Sequence, residues 1–294
     1  MKVFIFTRTG FHHTYFISRL QERFDVACVV RESYPQQRKE NPVGSVLKNL
    51  FRQAPLKRIK DDLFLKNFFG MYSAGFRYHK ALREYLKSPF DVMEEKPGTK
   101  YVNVQCGEIN SGDFASLLKE MKPDVIAVLG NSVIKPHIMS IPSAAMINLH
   151  SGLSPHYRGT WSYGWPIVNE EPEFIGVTVH HVDAGIDSGD IIYQTKPVLV
   201  ESDDLNTIFL KVIAEGTELV GDAIEAIGKT GRVKSHEQPK NTGRLYLAKD
   251  FNADTARRCI ENLGKGIITR YIADKKVRDS KLHLFGYVPP KIFR

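Results

Sequence analysis

The chain has 294 residues, 42% of them hydrophobic, enough for one full α/β core with a smaller unit beside it. Its three cysteines, Cys28, Cys106 and Cys259, show no CxxC or Cys/His ligand spacing, which argues against a disulfide framework or a structural zinc site and for a reducing cytoplasm. The net charge of +8 sits wholly in residues 31–87, which hold 13 Lys/Arg against 5 Asp/Glu while 28 of each sign lie elsewhere; such a block is either a solvated helical surface or a means of drawing in an anionic partner.

The opening apolar run, Val3 to Phe6, is too brief for a signal peptide, and no apolar run approaches the length that spans a bilayer. Residues 2–7 predict a buried strand, 11–24 a helix on the spacing of Phe11, Tyr15, Ile17, Leu20 and Phe24, and 25–30 a second apolar strand. That start suits an α/β fold with a doubly wound, mostly parallel, Rossmann-like sheet. The link Arg8-Thr9-Gly10-Phe11-His12-His13 lacks GxGxxG, so no dinucleotide site is expected. His12 and His13 read as a polar helix start, with a substrate-phosphate role at the helix N-terminus as the alternative.

Residues 45–85 are helical in pattern and basic, and form an insertion of about residues 33–98. A strand follows at 101–104, then a helix capped by Ser111 or Asp113 that runs to Met121, a strand at 125–129, a small connector at 136–140, and a strand from 144 that ends at His150. Residues 175–182 and 191–200 predict a strand pair around the loop 183–190. Asp203 and Asp204 begin a long amphipathic helix that runs to Ile227 and ends at Gly228. The expected organisation is a catalytic domain over 1–228 and a short, mixed C-terminal extension over 229–294, with a strand at 243–247 and a helix capped at Asn252. Trp161 and Trp165, four apart, read as core or interface residues on a helix.

Chemistry concentrates in two places. Asn148-Leu149-His150 closes an apolar strand, and 37 positions later Asp187 lies within Asp183-Ala184-Gly185-Ile186-Asp187-Ser188-Gly189-Asp190. An amide donor, an imidazole and a carboxylate can together steady a developing oxyanion and move a proton. The glycine-rich acidic loop has no helix-flanked twelve-residue frame, so no metal is expected. The surrounding words, Ile-Asn-Leu-His-Ser-Gly-Leu-Ser-Pro-His-Tyr-Arg-Gly from 147 to 159 and Gly-Val-Thr-Val-His-His-Val-Asp from 176 to 183, resemble the formyltransferases that use 10-formyltetrahydrofolate.

The resemblance implies Asn148 as oxyanion donor, His150 as electrophilic or acid partner, and Asp187 as its carboxylate and proton acceptor. It places the co-substrate against Asn131, Ser132, Val133 and Ile134, with His180 facing inward and Asp183 beside the loop. Arg8, Gly10, Tyr157 and Arg158 are candidates for acceptor contacts, although Tyr157 and Arg158 fit loop packing equally well. Among members, Arg8 to His13 lacks the phosphate loop of glycinamide ribonucleotide formyltransferases, and the tail lacks the barrel-like strands of methionyl-tRNA formyltransferases. Ser151-Gly152 and the Trp161–Pro166 stretch resemble the varied sugar N-formyltransferases, which implies a nucleotide-linked amino sugar as acceptor and allows a homodimer. Methionyl-tRNA formylation comes second, so nucleic acid is disfavoured. A 10-formyltetrahydrofolate hydrolase, disfavoured because the chain opens directly on its first strand, and a non-catalytic folate-binding module are the remaining alternatives.

Overall fold

The computed structural model describes residues 1–33, 56–73, 95–240 and 242–292. The first strand, β1 (Val3–Arg8), sends Val3 and Ile5 into one core with Leu20 and Ile224, and Phe4 and Phe6 into a second with Phe114 and Leu118. Burial on both faces marks a central strand, and each such side chain contributes about 1.5–3 kcal/mol. Helix α1 (Phe11–Arg23) leads to β2 (Val26–Ser33). Within the basic insertion, α2 (Leu56–Ser73) is a helix, and the rest of the stretch expected to be helical, 45–55 and 74–85, lies outside the described residues. Then come β3 (Lys100–Gln105), α3 (Gly112–Met121), whose N-cap Ser111 accepts from Phe114 N at 3.2 Å, and β4 (Val125–Val128).

The expected connector at 136–140 is a single helical turn, α4 (Pro136–Met139), with Pro136 at its start. It feeds β5 (Ala145–His150). After β6 (Tyr157–Gly159) and the short α5 (Trp165–Val168), the pair β7 (Val177–His181) and β8 (Ile191–Thr195) completes a seven-stranded sheet of order β3-β2-β1-β4-β5-β7-β8. It is parallel from β3 to β5, while β7 runs antiparallel to β5 and β8 to β7. The chain builds outward from β1 to β3, then returns to β1 and builds the other way through β4. The carboxyl ends at that reversal are where an open α/β sheet leaves a crevice.

Helix α6 (Leu205–Thr230) packs across the sheet on the same side as α1. Its capping box pairs the Asp204 carboxylate with Thr207 N at 2.8 Å. It does not end at Gly228 as expected. A glycine inside a helix costs only about 1 kcal/mol, and Lys229 and Thr230 carry the helix on to Gly231, which takes the left-handed φ of 74° that closes it. Trp161 and Trp165 also depart from expectation: Trp161 sits at φ 63° in a turn, and only Trp165 is helical, in α5.

The C-terminal extension lies against the sheet domain. Strand β9 (Arg244–Tyr246) runs parallel to β6, and α7 (Ala253–Gly264) starts where Asn252 accepts from the amides of Asp254 and Thr255, both at 3.0 Å. Asp61 and Phe64 of α2 meet Arg257 of α7, and Phe68 lies 5.6 Å from Phe251 and 6.0 Å from Trp161. A further helix, α8 (Ile267–Asp279), was not anticipated, because only Ile267, Ile268 and Tyr271 of its thirteen residues are buried and its apolar stripe is correspondingly faint. Among the described residues no helix is long and apolar enough to cross a membrane.

Candidate active site

Strand periodicity puts Asn148 and His150 on one face of β5 and sends Leu149, 3% exposed, into the core behind them. The antiparallel register of β5 and β7 then sets Asn148 opposite His180 and His150 opposite Thr178. The loop from β7 to β8 folds back over this corner and delivers Asp187. The three residues that sequence alone could not join are thus brought together. Asn148 Nδ2 donates to His180 Nε2 at 3.1 Å and to Asp187 Oδ1 at 3.4 Å, and His150 Nδ1 lies 3.2 Å from Asp187 Oδ2. His180 Nε2 approaches Asp187 Oδ1 at 3.4 Å, and Gly159 N donates to Asp187 Oδ2 at 2.8 Å.

Each histidine is oriented by a carbonyl. His150 Nε2 donates to Tyr157 O and His180 Nδ1 to His181 O, both at 2.8 Å. A carbonyl oxygen only accepts, so those nitrogens carry hydrogens and the inner ones face the carboxylate. Burial alone would raise the Asp187 carboxyl, but His150, His180 and the Gly159 N–H outweigh it and hold the group well below the ordinary carboxylate range.

These side chains form one wall of a cleft of about 600 Å³, within the range of small-molecule sites. The loop after β4 forms another. Asn131, Ser132, Val133 and Ile134 all line it, together with His180 and Asp183. The loop is pinned from behind by Glu32, a fully buried carboxylate at the end of β2 that accepts from Ser132 N and Oγ, both at 2.6 Å, and from Gly107 N at 2.7 Å. Asn131 Nδ2 donates to Thr7 O at 3.3 Å, while its Oδ1 is buried without a partner. An unpaired buried acceptor in the wall of a cleft is a place for a ligand donor. Asp183 turns its own loop, accepting from Gly185 N and Ser188 Oγ.

The acceptor-side candidates divide. Arg8 lines the cleft, whereas Gly10 serves as the N-cap of α1 and stands outside the lining. Tyr157 is corrected: its ring is 1% exposed and its hydroxyl is spent on Glu171 and Asn169, so it reaches the site only through the carbonyl that orients His150. Arg158 pairs with Leu245 across β6 and β9, also outside the lining. His12 and His13 do stand in the first turn of α1, and they do more than start it. Both line the cleft, where His13 Nδ1 meets Thr7 Oγ1 at 2.7 Å and the His12 ring stands edge-on to Phe209 of α6 at 5.1 Å. Burial, reinforced by Arg8, pushes His12 down to about 4, and burial with His12 and Arg8 beside it holds His13 well below its usual value.

Other residues of the site escaped sequence reasoning. Trp161, Phe209, Tyr246, Leu247 and Ala248 complete the cleft, and no local pattern assigned the last three to it. Glu32 did leave a signal, since an acidic residue closing an apolar strand seldom sits there without buried partners.

A doubly wound α/β protein with an amide, an imidazole and a carboxylate converging at the carboxyl end of a central strand belongs to the acyl-transfer class of sites. Residues 78–224, half of the chain, match the Formyl transferase family, and the chain belongs to it. The methionyl-tRNA formyltransferase of Pelotomaculum thermopropionicum is 36% identical over 123 residues, 42% of this chain and 39% of that protein. That of Caldanaerobacter subterraneus subsp. tengcongensis is 31% identical over 152 residues, 51% of this chain and 48% of that protein. The chain therefore spans less than half the length of these two relatives. An N-formyltransferase from Helicobacter canadensis, solved with folinic acid and dTDP-3-aminofucose, superposes with a TM-score of 0.53 at 16% identity, covering 90% of this chain and 81% of its own. At that identity the likeness is one of fold.

Proposed function

We propose that this protein transfers a formyl group from 10-formyltetrahydrofolate to a primary amine. The observation that carries the reading is the convergence of Asn148, His150 and Asp187 in one cleft of a formyl transferase family chain. The amine nitrogen attacks the formyl carbon, a C–N bond forms, and the bond to N10 of the folate breaks as one proton passes from the incoming nitrogen to the leaving one. Asn148 Nδ2, poised at the mouth of the cluster, donates to the developing oxyanion. Asp187 takes the proton, and His150 balances its charge. The folate occupies the side walled by residues 131–134, with Asn131 Oδ1 as an acceptor for its ring.

For the acceptor we favour a nucleotide-linked amino sugar. Two features support it: Arg8 and two neutral histidines line the other side of the cleft, and the described C-terminal residues fold as β9 and two helices, with Tyr246 of β9 and the following Leu247 and Ala248 lining the cleft. Methionyl-tRNA is the second reading, favoured by the names of the sequence relatives and by the basic insertion. Both are tested by incubating the protein with 10-formyltetrahydrofolate and, separately, water alone, a panel of nucleotide-linked amino sugars, and charged methionyl-tRNA, with the formyl mass gain as readout. Turnover with an amino sugar supports the proposal, and gain on the tRNA alone replaces the acceptor. Turnover in water alone makes the protein a hydrolase, and folate binding without turnover makes it a binding module.

A further inference from the structure

Asp187 is held by a side chain from outside the strand–loop–strand unit that carries it. Within the loop Asp187 takes φ 49°, a left-handed conformation that a residue with a Cβ adopts only at a cost and keeps only when its surroundings hold it there. The holding group is Gln238, 8% exposed, whose Nε2 donates to Asp187 O at 3.0 Å and to Gly189 O at 2.7 Å. Turning the carboxamide over would set its oxygen against both carbonyls, so the two bonds fix its orientation and leave Oε1 buried without a partner. Gln238 is itself anchored, because His236 exchanges two backbone hydrogen bonds with Ile191, at 2.7 and 2.8 Å, where the loop enters β8. The same C-terminal extension fixes the other side of Asp187 through β9, where Thr160 N donates to Tyr246 O at 2.8 Å next to Gly159.

We propose that Gln238 is a positioning residue for formyl transfer: by clamping the main chain at Asp187 and Gly189 it aims the Asp187 carboxylate at His150 and Asn148. The inference rests on the reading of Asp187 as proton acceptor given above, and it makes residues 236–240 and 242–247 part of the catalytic unit. Without the clamp the loop relaxes toward ordinary φ values, and the carboxylate leaves His150 Nδ1, His180 Nε2 and the Gly159 N–H. Misplacement of a reacting group on the order of 1 Å costs about 100-fold in rate.

The test compares the wild-type chain of 294 residues with Gln238→Leu. In the wild type, NMR couplings across hydrogen bonds are expected from Gln238 Nε2 to the carbonyl carbons of Asp187 and Gly189. A Gln238 side-chain amide that exchanges at the rate of an exposed one overturns the proposal, whether or not the variant folds. In Gln238→Leu, kcat should fall about 100-fold with KM for the folate little changed, and the His150 ring should titrate differently once Asp187 has moved away. A variant that melts earlier yet keeps the wild-type His150 titration and kcat shows Gln238 to be structural only, which also overturns the proposal. Should the wild type formylate no amine, the functional reading falls while the couplings and the His150 titration still judge the clamp.

Discussion

Replacing Asn148 by alanine separates catalysis from folding. Its side chain makes two contacts, to His180 Nε2 at 3.1 Å and Asp187 Oδ1 at 3.4 Å, from the half-buried end of β5. Removing them should cost about 0.5–1.5 kcal/mol of stability for each bond, and less for the longer one. Losing a preorganised oxyanion donor costs more, about 3–4 kcal/mol in the barrier. At 1.36 kcal/mol per decade, that is a fall of about two to three orders of magnitude in turnover. Asn148→Asp keeps the shape but brings a second carboxylate against Asp187, so it should not restore the rate and should raise the acid limb of the pH profile. The assay is single-turnover formyl transfer at saturating folate, with a thermal melt of each variant alongside. A loss of less than about tenfold with the fold intact would show that Asn148 is not the oxyanion donor.

Asp187→Asn retains an acceptor for the Gly159 N–H but not a proton acceptor, so turnover should drop by about two to four orders of magnitude, and a variant with near-normal kcat would remove Asp187 from the mechanism. Because the Asp187 carboxyl is depressed in the folded state, its contribution to stability is complete above the ordinary carboxylate pKa of about 4 and is lost as pH falls through the lower folded value; urea midpoints measured below that point should decline less in Asp187→Asn. His12 acts in a different window. With a folded pKa of about 4 against 6.5, it leaves the unfolded chain binding the extra proton between those values, so stability should fall by about 3 kcal/mol from pH 6.5 to 4, and His12→Gln should flatten that slope. Lys211→Met strands the fully buried Asp203 carboxylate, which Lys211 Nζ meets at 2.7 Å; urea denaturation should show a loss of about 3–5 kcal/mol, and a loss under about 1 kcal/mol would mean the Asp203 carboxylate does not depend on Lys211.

What the sequence could show followed from short-range physics. The alternation of β1, the Ser111 and Asn252 caps and the stripe of α6 depend on neighbours within a few positions, and each element stands within a few residues of its expected bounds. The pairing of Asn148 with Asp187 was named from motif order, but the contact itself needs the antiparallel register of β5 and β7, which no spacing rule supplies. Tyr157 failed as a substrate contact because β6 turns its ring into the Glu171, Asn169 and Tyr246 cluster, a long-range arrangement. Gln238 and Tyr246 left no trace, since a glutamine in a polar tail looks like solvent-facing chain until β9 meets β6. That meeting demands glycine at 159: its φ is 90°, and a Cβ there would stand 2.0 Å from Tyr246 O.

The hydrogen bonds also constrain how many protons the cluster holds. His150 spends its Nε2 hydrogen on Tyr157 O, so a neutral ring presents a bare lone pair at Nδ1 to Asp187 Oδ2, 3.2 Å away. Two acceptors at that distance repel, and the contact is attractive only when one further proton lies between them. His180 offers no such proton while its Nδ1 hydrogen is held by His181 O and its Nε2 accepts from Asn148. Burial holds the His150 ring below its usual value, so the resting pair lacks that proton, and on the proposed mechanism the amine supplies it. On that proposal, attack of an amine on the formyl carbon would release one as the oxyanion draws Asn148 Nδ2 away from His180 and Asp187. A pair that tightened on taking up the proton and loosened on returning it to the leaving nitrogen would be stronger in the transition state than before it, which is the condition for raising kcat rather than merely binding the substrates.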